Sequence, residues 1–127
     1  MKFVHCADVH IGMEFALNRL RSRQRKAEIL QSFLRVIDYC RDEEVDILLI
    51  AGDLFDSEKV EAAVVEQIKE AFAGIPGTDI YIAPGNHDTY TLMSRYSVVR
   101  RRCLNAGIRA TVYGAAVLRT AMSRTGF

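Results

Sequence analysis

The sequence predicts an α/β domain built on a parallel sheet, and three observations carry that prediction. Short apolar runs alternate with amphipathic helical stretches in a βαβαβαβ pattern. One run, residues 47–51, is continuously apolar, as in a strand covered on both faces. Each of the first three runs leads into unusual polar residues, where open parallel sheets place their ligands.

Taken in order, residues 2–6 form a short apolar run that closes at Ala7-Asp8, the first strand. Residues 14–27 are mostly polar and read as a lead-in loop. From Lys26 to about Glu43, Ile29, Leu30, Phe33, Leu34, Ile37 and Cys40 recur at spacings of three and four, which predicts a helix with one buried face. Residues 46–51 are the second strand. Ser57 is positioned to cap a second helix, with Val60, Val64, Ile68 and Phe72 on one side and a stop at Gly74. Ile75-Pro76-Gly77 is a turn, residues 79–83 a third strand, and Pro84-Gly85 its end. A third helical pattern over 94–106 stops at Gly107, and residues 108–114 are a fourth strand. Residues 115–127 carry no assignable pattern. Connections between such strands are right-handed crossovers.

Composition sets the outer bounds. The 127 residues are 50% hydrophobic, enough for one domain with a real core and too apolar for intrinsic disorder. A net charge of +1 does not advertise a nucleic-acid partner, although a local basic patch is compatible with it. No apolar run approaches the ~20 residues of a membrane span, and the first residues lack a signal peptide's apolar core. The 3 cysteines, Cys6, Cys40 and Cys103, form no CxxC pair and read as buried thiols in a reducing compartment. The expectation is a soluble, cytoplasmic, single-domain chain over residues 1–127.

The chemistry collects at the strand ends: Asp8-Val9-His10 after the first, Gly52-Asp53 after the second, Gly85-Asn86-His87-Asp88 after the third. Each motif alone has an ordinary explanation, since a strand-end Asp commonly caps a turn and Asn-His-Asp after Pro-Gly can be one. All three at one sheet edge are harder to explain that way. Asp8 and His10 offer a carboxylate and an imidazole to one cation, Asp53 can bridge to a second, and Asn86 adds a neutral amide oxygen. Mixed oxygen and imidazole donors suit Mn²⁺, Fe or Zn²⁺. A pair of such ions can clamp and polarise a phosphate and generate its nucleophile. His87 can stay off the metal and protonate the leaving oxygen or stabilise charge on the phosphoryl group, with Asp88 orienting it.

These residues resemble the calcineurin-like metallophosphoesterase superfamily, whose pattern is Asp-x-His, Gly-Asp and Gly-Asn-His-Asp/Glu. The flanks H-C-A-D-V-H-I-G at 5–12 and A-G-D-L-F-D at 51–56 are similar to the SbcD-type nuclease subunit of DNA-repair complexes. The Asp-Arg-Gly of protein Ser/Thr phosphatases is missing, because Ser57-Glu58 follows Asp56. The resemblance implies two sheets packed face to face with helices outside, of which this chain holds the N-terminal half. It implies two Mn²⁺-type ions on Asp8, His10, Asp53 and Asn86, with His87 as the catalytic histidine. It also implies DNA as substrate and an ATPase partner of the SbcC type. The family's later histidines have no counterpart, as the 3 histidines are His5, His10 and His87. The second metal site is therefore expected to be incomplete and the domain C-terminally truncated. An open sheet face is most simply buried by a homodimer.

Two basic stretches are candidates for a DNA backbone: Arg19, Arg21, Arg23, Arg25 and Lys26, and Arg100-Arg101-Arg102. A solvated helix face is the ordinary reading of both, and the first is the better DNA candidate because it follows the metal motif. Tyr90 and Tyr96 can stack on bases or pack a helix on the sheet. Two rival functions stand beside the nuclease: hydrolysis of a small phosphodiester or nucleotide, and an inactive fragment that only associates.

Overall fold

The computed structural model describes residues 1–16, 18–57 and 59–85 and the strand Ala110–Val112. Four strands, β1 (Phe3–Cys6), β2 (Ile47–Ala51), β3 (Asp79–Ala83) and β4 (Ala110–Val112), form one parallel sheet in the order β1-β2-β3-β4. Helix α1 (Arg19–Asp42) joins the first pair and α2 (Ala62–Ala73) the second. The expected third helix, residues 94–106, lies outside the described residues, as do Cys103, Tyr90, Tyr96 and Arg100-Arg101-Arg102.

Register explains the core. Val4, Leu48 and Ile80 stand in one row, Cys6, Ile50 and Ile82 in the next, and both rows join the core with α1 and α2. Leu48, Ile50, Ile80 and Ile82 are at most 1% exposed. Burial of each such side chain is worth roughly 1.5–3 kcal/mol. The helices meet edge to face through Phe33 and Phe72, whose ring centroids are 6.3 Å apart at 79°.

Strands added one after another in the same direction, with crossovers of one hand, send every helix to the same side. This corrects the expectation that β2 is buried on both faces. Leu48 and Ile50 are buried, whereas Ile47 and Leu49, on the face away from the helices, are half-buried. Phe3 in the neighbouring strand is 61% exposed.

Two helix starts also differ from expectation. Helix α1 begins at Arg19 rather than Lys26, because Asn18 Oδ1 accepts the Arg21 N–H at 3.0 Å and caps it. Helix α2 begins at Ala62, with Glu61 at the cap position, while Ser57 Oγ accepts the Lys59 N–H at 3.3 Å in a preceding turn. The end of α1 is a Schellman turn: Val45 N–H reaches the Cys40 carbonyl at 2.9 Å and Glu44 N–H the Arg41 carbonyl at 3.3 Å. Glu44 holds the left-handed position at φ 50°, where glycine is the usual occupant. No helix among the described residues is long and apolar enough to cross a membrane.

Candidate metal centre at the carboxyl edge of the sheet

The loops leaving β1 and β2 are stitched to each other. Asp8 N–H donates to the Gly52 carbonyl at 3.1 Å, His10 N–H to that of Asp53 at 2.9 Å, and Ile11 N–H to that of Leu54 at 2.9 Å. Asp56 N–H returns a bond to the Ile11 carbonyl at 3.0 Å, and Ile11 and Phe55 form a parallel bridge. The parallel ladder thus continues past the strand ends. Ile11, Leu54 and Phe55, each at most 1% exposed, anchor this extension in the core. Three residues of these stitched loops meet at the edge.

Those residues are Asp8, His10 and Asp53, and one donor atom from each lies within 4.8 Å of the others. All three sit in the left-handed region, at φ 52°, 53° and 47°. A single non-glycine residue there is uncommon, and each costs on the order of 1–3 kcal/mol. Three in one cluster, held by the ladder, form a preorganised constellation. Asp53 is 6% exposed, and His10 Nε2 lies 4.0 Å from its Oδ2. On the other side of the ring, His10 Nδ1 is 3.2 Å from Asp56 Oδ1.

The third strand approaches through glycine. Gly52 N–H donates to the Ala83 carbonyl at 2.8 Å, joining the end of β3 to the same edge. A Cβ at Gly85 would stand 2.0 Å from Asp53 Oδ1, so only glycine lets the chain pass there. Asn86, His87 and Asp88 lie outside the described residues. Asp8, His10 and Asp53 are brought together. Asp56 was not singled out in the sequence, where it is one more acidic residue after a strand. Its spacing of three from Asp53 was the available signal.

The basic cluster divides between two faces of α1. Arg19, Arg23 and Lys26 fall at spacings of four and three, and the same spacing continues into Leu30, Phe33, Ile37 and Cys40, the buried stripe. Helix α1 has 24 residues, about 36 Å at 1.5 Å each, and outruns the short strands beneath it. Its apolar stripe therefore gives way to charge where the helix leaves the sheet. Arg23 and Lys26 line a groove of about 500 Å³ with Gly12, Ser57 and Lys59, beside the loops that carry His10 and Asp56. Lys26 pairs with Glu14 on the groove's rim. Arg21 and Arg25 are on another face, Arg25 2.9 Å from Glu28.

Cys6 and Cys40 are free thiols. Burial pushes both up from the ordinary thiol range, and at Cys6 the nearby Cys40 adds to the rise.

Comparison with known proteins finds relatives of this chain. The DNA double-strand break repair protein Mre11 of Methanopyrus kandleri is 38% identical over 90 residues, covering 69% of this chain and 19% of that protein. The protein of the same name from Aeropyrum pernix is 32% identical over 118 residues, 88% of this chain and 27% of the relative. That of Methanococcus maripaludis is 33% identical over 93 residues, 69% and 23%. The chain thus spans about a quarter or less of the length of these relatives. A family model, calcineurin-like phosphoesterase, matches residues 1–116 and so takes in all three strand-end motifs. With that match running through the stitched loops and all four strands of the sheet, the chain belongs to the calcineurin-like phosphoesterase family.

Proposed function

We propose that this chain serves metal-dependent hydrolysis of phosphodiester bonds in DNA, as a nuclease of the SbcD type. The observation that carries the reading is the cluster of Asp8, His10 and Asp53 on left-handed backbone. Two carboxylates and an imidazole are a fitting donor set for a divalent ion of the Mn²⁺ type. A cluster held under backbone strain is a feature of sites rather than of turns. Asp8, His10 and Asp53 would hold one ion, and Asp53 with Asn86 would contribute to a second. Bound there, the ions would supply Lewis acidity toward the phosphate.

The remaining roles belong to side chains. His87 donates a proton to the leaving oxygen, and Asp88 orients its ring. Of the basic cluster Arg19, Arg21, Arg23, Arg25 and Lys26, Arg23 and Lys26 are the best placed to hold the phosphate backbone of the substrate, because they line the groove beside the metal loops, and Arg19 shares their helical stripe. The relatives named for DNA double-strand break repair support DNA as the substrate. An ATPase subunit of the SbcC type is the matching partner.

The test is Mn²⁺-dependent cleavage of single- and double-stranded DNA by the 127-residue chain, with His87→Ala as control and an aryl phosphodiester as the small substrate. Cleavage of DNA that is lost in His87→Ala and falls steeply with salt is the expected result. A shallow salt dependence with equal turnover of the small diester would favour a small-molecule phosphodiesterase. No hydrolysis of either would leave this chain a metal-binding element without activity of its own.

A further inference from the structure

We propose that Asp56 is a positioning residue for the metal centre: it accepts the Nδ1–H of His10, and so presents Nε2 as the ligand nitrogen. The proposal rests on the metal reading above and adds to it a residue that the donor cluster does not contain. The two ring nitrogens face two carboxylates on different terms. Nδ1 is 3.2 Å from Asp56 Oδ1, within reach of a hydrogen bond. Nε2 is 4.0 Å from Asp53 Oδ2, beyond one, and so on the side of the ring toward Asp53, a member of the donor cluster.

Neither partner is loosely held. Asp56 is fixed from behind, its N–H bonded to the Ile11 carbonyl at 3.0 Å and its neighbour Phe55 1% exposed in the core. His10 is fixed by its N–H on the Asp53 carbonyl and by its left-handed φ of 53°. The side chains of His10 and Asp56 are 25% and 24% exposed, so water is largely kept from the contact. In a neutral imidazole one nitrogen carries the proton and the other the lone pair, and the hydrogen bond at one decides which. A carboxylate can only accept, so Asp56 selects the Nδ1–H tautomer and leaves the Nε2 lone pair directed at the cluster. Such outer partners of ligand histidines fix ring orientation and raise basicity.

The experiment uses the full chain labelled with ¹⁵N-histidine, and the variants Asp56→Ala and Asp56→Asn. Ring ¹⁵N spectra of the metal-free chain, at a pH where the ring is neutral, should report Nδ1 of His10 protonated. Asp56→Ala should shift the ring toward the Nε2–H form and weaken Mn²⁺ binding by about 10–100-fold. Asp56→Asn keeps an amide oxygen to accept the bond and should retain the tautomer and most of the affinity. An Nε2-protonated His10 in the parent chain overturns the proposal, a result that holds even if Asp56→Ala does not fold. Equal Mn²⁺ affinity in parent and Asp56→Ala overturns it as well, as does loss of hydrolysis with tautomer and affinity unchanged. A parent chain that carries the Nδ1–H tautomer but binds no Mn²⁺ would refute the metal reading alone.

Discussion

Replacing Gly85 by alanine tests whether the end of β3 holds Asp53 in place. The added Cβ would lie 2.0 Å from Asp53 Oδ1, 2.4 Å from Cγ and 2.6 Å from the Asp53 backbone nitrogen. Ordinary contacts to carbon are ~3.5–4 Å, so the carboxylate must retreat by more than about 1 Å. Rotating the side chain does not relieve the clash with the backbone nitrogen, and the stitched loop must move with it. Overpacking of this kind costs about 1–3 kcal/mol, or roughly 4 °C of melting temperature for each kcal/mol in a domain of this size. The effect on metal binding is separate. At a Mn²⁺ concentration 100 times its dissociation constant, the parent chain would gain about 2.7 kcal/mol of stability. If displacement of Asp53 weakens the site roughly 100-fold, the same concentration gives only about 0.4 kcal/mol. Thermal melts in chelator and in Mn²⁺ read both quantities. A Gly85→Ala chain that melts like the parent in chelator would refute the close approach. One that loses stability but keeps the full Mn²⁺ increment would refute the dependence of the site on Asp53's position.

Other outcomes follow from the same geometry. Asp53→Asn should abolish most of the Mn²⁺-induced rise in melting temperature, and an unchanged rise would remove Asp53 from the ligand set. Glu44→Gly should stabilise the chain by about 0.5–1 kcal/mol in denaturant titrations, because Glu44 occupies a left-handed helix end; Glu44→Ala should give no such gain. The Cys6 and Cys40 thiols are raised by burial, so folding favours their neutral forms. Their contribution is complete below the ordinary thiol range and is lost as pH rises above about 9. Melting temperatures between pH 7 and 10 should show that decline, and the double variant Cys6→Ala, Cys40→Ala should flatten it.

Much of the frame was legible because strand and helix periodicity are local properties. The strand Asp79–Ala83 coincides with its expected bounds, and Phe33, Ile37 and Cys40 are the buried stripe that their spacing predicts. The start of α1 was hidden for a physical reason. Arg19, Arg23 and Lys26 keep the helical spacing but carry charge, since the helix there has left the sheet, and an apolar pattern ends with the apolar surface. The start of α2 was misplaced because Ser57 makes a turn bond that a cap would also make. Lys69 is 5% exposed with its ammonium on Glu66, a burial that its charge alone would argue against.

The sequence by itself determined that Asp8, His10 and Asp53 follow strands, and parallel pairing then required them to share an edge. Only the tertiary structure decided how they meet there. Backbone bonds running past the strand ends hold all three in left-handed conformations, a choice made between loops far apart in the chain. It decided also that Asp56 faces Nδ1 of His10 while Asp53 lies toward Nε2. Motif spacing cannot assign a ring nitrogen, because that depends on the direction of two side chains anchored in different loops.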